Sequence, residues 1–519
     1  MRSKFGNLLL TATLLAGASA CAVNPVTGQR EFASVSQAQE IQIGTENYAY
    51  MQQAGGGEFD VDPELTTYVK GVGGRLVAAS HKLAVAERQL PYEFVVLNSS
   101  VPNAWALPGG KLAINRGLLT EINSEAELAA VLGHEIVHAA ARHSAQQMER
   151  GMWLQIGVIG TAILTGDSGY SDLAVGGASV GAQLLSQSYG RGAELQSDEY
   201  GMRYMSEAGY DPQGAIALQE TFLRLSEGRS SDWLSGLFAS HPPSQERVTA
   251  NKRTAATLPP GGESGVESFQ AAMKRTMDNK PAYDAYDEGR KALADDDTGI
   301  AIKKADAAIR LFSDEAHFYA LRGDARFTAE QYDMAISNYD IAIRRRGGFF
   351  QYYLQRGLSN EKLGNDQTAI NDLEKSNELF PTATAHYSLG NIAARQGDRE
   401  KAIEHYTMVA GGQGDLANSA KEALVRLDLA DNPDKYLQVR CFQDNSGNLG
   451  VSIGNTTPLT VTGVRYVVQY RDATGTRARE GSVSGQIRAG TAANVSTGIG
   501  PYTSGAGCPV QVTAARVVE

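Results

Sequence analysis

His134-Glu135-Ile136-Val137-His138 lies in a helical pattern that begins near Ser124, with Glu125 and Glu127 in its first turn, where carboxylates suit the helix dipole. Residues i and i+4 project from one helical face, so the two imidazoles can converge on a single cation at Zn–N distances of ~2.0–2.1 Å. Glu135, between them, points to the side where an activated water would stand and is the natural general base. Val131, Leu132, Ile136 and Val137 are apolar, which places this helix in a core. Burying His, Glu and His there without partners would cost several kcal/mol. Metal ligation removes that conflict. The alternative, a chance match on a surface helix, sits badly with the apolar flanks. The reading is a mainly α, zincin-type domain with a small sheet, holding one zinc ion.

Outward from this helix, a third ligand belongs downstream. Glu194 and Asp198 stand at i and i+4 on a helix from about Arg191 to Ala208 that stops at Gly209. From the residues alone, Glu194 fits a solvated helix face equally well. Upstream, helical patterns run from Ser36 to Leu83, then a strand-like Phe94-Val95-Val96-Leu97, then a turn and second strand through Asn103 to Ile114. Residues 152–190 alternate Gly/Ala-rich apolar stretches, each shorter than the ~20 residues of a spanning helix. They predict a buried or gating helical hairpin beside the site. The peptidase-type domain is placed at 36–258, and the breaker Pro259-Pro260-Gly261-Gly262 opens a linker over 259–281.

Beyond it Gly289, Gly323, Gly357 and Gly390 recur at intervals of 34, 34 and 33 residues. Ala301, Ala335, Ala369 and Ala402 each stand twelve residues after one of those glycines, followed by Ile302, Ile336, Ile370 and Ile403. A 34-residue period with small residues at two offsets is the mark of tetratricopeptide repeats, pairs of antiparallel helices whose small residues permit close approach. Four repeats over 282–412 form an α-solenoid. From Tyr436 the pattern changes to period two, as in Val461-Thr462-Gly463-Val464-Arg465-Tyr466-Val467-Val468, and 436–519 reads as a small β-sandwich.

The ends and the charge speak to location. Arg2 and Lys4 precede an apolar run from Leu8 to about Ala20, which reads as a signal peptide over 1–20. Small residues before Cys21 suit a lipoprotein signal in which Cys21 is lipidated and 21–35 serves as a tether; ordinary cleavage after Ala20 is the alternative. Cys441 and Cys508 suit a disulfide in an oxidising compartment, or two buried thiols. A net charge of -11 argues against nucleic acid.

Several motifs together resemble the bacterial periplasmic metallopeptidases of the BepA-like type, related to the HtpX-type and CAAX-prenyl membrane peptidases. These are Asn103-Ala104-Trp105-Ala106-Leu107-Pro108-Gly109-Gly110, the His134 helix, Glu194 to Asp198, Ala208-Gly209-Tyr210-Asp211-Pro212, and Ser240-His241-Pro242 with Arg247. The resemblance covers residues 22 to about 255. It implies Glu194 as third zinc ligand and Asp198 as the acid that hydrogen-bonds a ligating histidine. Gln196 and Ser197 depart from the family's Glu-x-Glu-Ala-Asp pattern, which puts local packing in question. By the same resemblance His241 caps the metal at rest or stabilises an oxyanion, with Arg247 contributing; a surface His–Arg pair is the alternative. His143, five residues past His138, is expected off the ligand face and in solvent.

The implied function is a zinc endopeptidase of the bacterial envelope, anchored to the outer membrane, that hydrolyses misfolded or misassembled envelope proteins. The stretch Gly109 to Asn115 is a candidate edge strand for pairing with extended substrate. A second reading is a periplasmic assembly or chaperone-like factor whose repeats bind a protein partner while the zinc site stays latent. A zinc hydrolase acting on a non-peptide bond is a third, with nothing else in the chain to support it.

Overall fold

In a computed structural model of the protein the described residues are 21–86, 88–147, 149, 189–228, 241–472, 475–502 and 508–518. The signal peptide expected over 1–20 lies outside them, as does nearly all of the hairpin expected over 152–190. The chain divides into two compact units, one reaching to Ser359 with Glu378–Phe380, the other made of Asn360–Asn377 and Pro381–Glu519.

The first unit is built around the helix that carries the histidines. Strands β1 (Cys21–Val23) and β2 (Arg30–Phe32) precede helices α1 (Gln37–Ala54) and α2 (Pro63–Leu83). Strands β3 (Glu93–Leu97), β4 (Ala104–Leu107) and β5 (Lys111–Asn115) follow, then the short α3 (Arg116–Leu119) and the histidine-bearing helix α4 (Glu125–Ala140). Ser124 caps α4 by accepting from the Glu127 N–H, and every residue of the helix is buried. Helix α5 (Arg191–Glu207) packs on it through glycine. A Cβ on Gly201 would stand 3.0 Å from the His134 nitrogen, so only a glycine-to-glycine contact with Gly133 lets the two backbones come this close. That approach brings Glu194 and Asp198 to the histidines. Helices α6 (Gln213–Gly228), α7 (Gln245–Ala255) and α8 (Val266–Asp278) complete the body.

Three expectations are corrected here. The sheet order is β3-β5-β4, with β5 parallel to β3 and antiparallel to β4, so the Gly109 to Asn115 stretch is central and β4 is the edge. The supposed linker over 259–281 is folded. Phe269 and Met273 of α8 enter the same core as α4, and the Ser264 and Gly265 carbonyls accept from the first N–H groups of α4. The supposed tether over 21–35 is a paired hairpin whose Asn24 and Val26 are buried and whose Pro25 carbonyl accepts from Val85 N–H.

The repeat helices have the predicted form. The first pair is Lys280–Ala294 with Thr298–Leu311, the second Ala316–Thr328 with Tyr332–Arg345. A Cβ on Gly323 would stand 2.6 Å from the Tyr339 ring, and Ala301 and Ala335 are fully buried, so the small residues admit the facing helix. Within this unit Glu315 accepts from Tyr283 Oη at 2.7 Å and from Asn98 Nδ2 at 2.9 Å, which ties the first repeats to the end of β3.

The second unit carries the helix pair Ala383–Gln396 and Arg399–Ala410, a further helix Gly414–Asp428, and two antiparallel sheets. Val451 and Ile453 of one sheet share a core with Val464, Tyr466 and Val512 of the other. Cys441 and Cys508 are joined by a disulfide. No helix among the described residues is long and apolar enough to cross a membrane.

Candidate metal centre

Four ligand atoms converge beneath α4. His134 Nε2 and His138 Nε2 face each other at 2.9 Å, and His241 Nδ1 lies 3.2 Å from His134 Nε2. Glu194 Oε1 is 3.3 Å from His138 Nε2 and 3.0 Å from His241 Nδ1, while its Oε2 is 3.6 Å from His134 Nε2. All four residues are buried, with ligand atoms within 4.8 Å of one another. Ligands ~2.0–2.1 Å from a tetrahedral zinc stand about 3.3 Å apart. The separations here straddle that value.

Hydrogen bonding behind the rings decides which nitrogens are free. His134 Nδ1 is 2.9 Å from Asp198 Oδ1; a carboxylate only accepts, so in the neutral ring Nδ1 carries the hydrogen and Nε2 keeps its lone pair. His138 Nδ1 is 3.0 Å from His143 Nδ1, and His143 Nε2 donates to Gln196 Oε1 at 3.0 Å. With Nε2 donating, His143 Nδ1 is the acceptor and His138 Nδ1 the donor, which again leaves Nε2 bare. Two lone pairs at this separation repel unless a positive charge stands between them. The proton affinities express the same demand. Burial works against a charged His134, but the Glu194 and Asp198 carboxylates prevail and raise its pKa to about 9. Burial holds His138 well below its ordinary value. Burial opposes the charge on Glu194 too, yet His241 and His134 hold its carboxyl far below the usual carboxylate range. A divalent cation satisfies all of these groups at once. The donor set fits zinc.

Residues 63–255 match the model of Peptidase family M48, and residues 286–348 and 354–420 match a tetratricopeptide-repeat model. The 63–255 domain is an M48 zinc metalloendopeptidase domain. With the repeats that follow it, this domain makes the chain similar to BepA-like metallopeptidases. The Yersinia pestis "Beta-barrel assembly-enhancing protease" is 28% identical over 52% of this chain and 56% of its own length. The protein of that name from Escherichia coli (strain K12) is 26% identical over 74% and 76%, respectively. The "Mitochondrial metalloendopeptidase OMA1" of Arabidopsis thaliana is 31% identical over 35% of this chain and 36% of its own. The chain thus spans just over half of the Yersinia relative's length.

Within the M48 site the sequence-predicted residues meet, with two differences. Arg247 is not free to meet an oxyanion. Its Nε and Nη2 grip both Asp198 oxygens at 2.7 Å, and its Nη1 stands 2.8 Å from Glu194 Oε2. Burial disfavours the Asp198 charge, and this bidentate clamp more than offsets that, so Asp198 stays ionised. Arg247 therefore positions carboxylates. His143, expected in solvent, is buried and braces His138. Sequence phase misplaced it because α4 ends at Ala140 and Arg142 takes φ 65°, so the turn carrying His143 is not a continuation of the helix. Gln196, one of the departures from the family pattern, is the acceptor that fixes the His143 tautomer. Tyr189 went unremarked in the sequence; its ring lies 3.8 Å from the His138 ring, and its hydroxyl is 2.7 Å from Ser144 Oγ. Glu135 stands beside the cluster, with Oε1 3.5 Å from His241 Nε2 and Oε2 without a hydrogen-bond partner among the described residues. Burial pushes its carboxyl above the ordinary glutamate range.

Proposed function

We propose that this protein is an endopeptidase of the bacterial cell envelope that hydrolyses peptide bonds in misfolded or misassembled envelope proteins. The observation that carries the reading is the buried Glu135 carboxylate, one oxygen unpartnered, beside a three-His, one-Glu cluster. His134, His138 and Glu194 would hold zinc, with Asp198, His143 and Arg247 fixing their orientation. Zinc bound there supplies Lewis acidity, acidifying water and polarising a carbonyl oxygen. Glu135 takes the proton of the attacking water at its free Oε2 and passes it to the leaving amine nitrogen. His241 reaches the cluster through Nδ1, which favours its role as a resting-state cap that withdraws when substrate arrives.

Extended substrate would pair with the free side of β4, whose Ala104 borders the same cavity as His134 and Glu135. The Ser144 hydroxyl donates to the Ala106 carbonyl of this strand at 3.2 Å, so it must yield one acceptor for full pairing. Export is supported by the Cys441–Cys508 disulfide. A lipid on Cys21 would start at a folded hairpin with little slack, holding the peptidase unit close to a membrane. The repeats offer a partner surface, and the curated relatives named above for enhancing β-barrel assembly favour an outer-membrane setting. Incubation of purified protein and of His241→Ala with unfolded casein and zinc tests the reading. Fragments that disappear on chelation are expected; intact casein with both proteins at every zinc level would count against it.

A further inference from the structure

Beside the cluster lies a cavity bordered by His134 and Glu135. Its walls are apolar, from Leu118, Val131, Met202, Leu218 and Phe222 among others. Two amides interrupt them. Gln219 is 2% exposed and Asn251 1% exposed, both border the cavity, and neither Gln219 Oε1 nor Asn251 Oδ1 has a hydrogen-bond partner among the described residues. The Asn251 amide is oriented by its Nδ2, which donates to the Ala215 carbonyl at 3.3 Å, so Oδ1 remains as a bare acceptor. A buried acceptor left without a donor loses the hydrogen bond it would make to water. Two of them bordering one largely apolar cavity mark a site that is completed by a donor.

The charges narrow the choice of occupant. Asp198 and Arg247 also border the cavity but neutralise one another. Glu135 is the one carboxylate among the described lining residues without such a cation, and it is committed to proton transfer. A lysine or arginine side chain would therefore give up its hydration for amide oxygens alone. A purely aliphatic or phenyl group would fill the walls and leave both oxygens bare. Resting on the peptidase reading, we infer that this cavity receives a substrate side chain flanking the scissile bond and selects tyrosine or tryptophan, whose neutral O–H or N–H meets Gln219 Oε1 or Asn251 Oδ1 while the ring fills the apolar walls. A site that expects a hydroxyl rejects the analogue lacking it more sharply than a smooth pocket rejects a missing methylene.

Two measurements on the zinc-loaded full chain test this. In the first, matched peptides differing only as Tyr, Trp, Phe or Leu beside the cleaved bond are compared. Tyr and Trp should exceed Phe and Leu in kcat/KM by about tenfold or more, and Gln219→Met should shift the ratio toward Phe and Leu. In the second, phenol and toluene are bound to the uncleaving Glu135→Gln protein. Phenol should bind at least several-fold tighter, and adding Gln219→Met together with Asn251→Leu should remove the difference. Cleavage without a Tyr or Trp preference overturns the pocket while leaving the peptidase reading intact. No cleavage with selective phenol binding supports the pocket and sinks the peptidase reading. Equal binding of phenol and toluene, as when water satisfies both oxygens, overturns the inference.

Discussion

Two buried carboxylates stand at the two ends of this catalytic core, and they are arranged in opposite ways. Glu125, at the start of α4, accepts from Tyr68 Oη and Tyr210 Oη at 2.7 Å each, from Ser268 Oγ at 2.8 Å and from Arg75 Nη1 at 3.3 Å. Both of its oxygens are met by donors. Glu194 instead sits where two imidazole lone pairs already face each other at 2.9 Å. The first cluster is closed and structural; the second is complete only with a cation. The same contrast explains why the Tyr210 motif and the α8 segment matter to the fold: Tyr210 and Ser268 are the donors that lock the N-terminal end of the catalytic helix.

That contrast can be broken at four points. Glu194→Gln has the largest expected effect: zinc affinity by chelator competition should fall more than about 100-fold, beyond the range for supporting residues, while the metal-free fold survives. Asp198→Asn comes next, at about 10–100-fold weaker zinc binding, because the Asp198 negative charge that holds the His134 tautomer and Arg247 is lost. His143→Phe removes the acceptor behind His138 and should cost about tenfold or less in zinc affinity, the low end of that range. Glu125→Gln should leave zinc affinity unchanged and lower the thermal midpoint, by about 1–3 kcal/mol of stability at neutral pH.

Glu125 adds a pH test. Burial opposes its charge, but the Tyr68, Tyr210 and Ser268 donors hold its pKa below the ordinary glutamate value. A carboxyl depressed in the folded state contributes stability above its unfolded pKa and loses it as pH falls through the folded one. The Glu125→Gln deficit should therefore be full at neutral pH and shrink in acid. A deficit that is constant from neutral pH to pH 3 would show that packing, not charge, is at stake.

What the sequence disclosed follows from how local each signal is. His134, Glu135 and His138 lie within five residues on one helix, and the repeat register returns every 33–34 residues, so both could be read directly. Glu194 is 56 residues from His138, and only its resemblance to a known motif singled it out from a solvated face. Strand order escaped because pairing β5 with both β3 and β4 is a long-range choice that leaves no periodic trace. The α8 segment was legible in part: Val266, Phe269 and Met273 fall at helical spacing, but the Pro259-Pro260-Gly261-Gly262 breaker before them suggested a linker. His143 was hidden by one left-handed residue, Arg142.

The central claim is that Glu135 performs proton transfer at a zinc site built from its neighbours. Its most direct test compares zinc-loaded wild type with Glu135→Gln, measuring bound zinc and the rate of casein cleavage together. The expected result is one zinc per chain in both proteins, with cleavage slowed by about 10²–10⁴-fold in the variant. Equal cleavage rates at equal zinc content would contradict it.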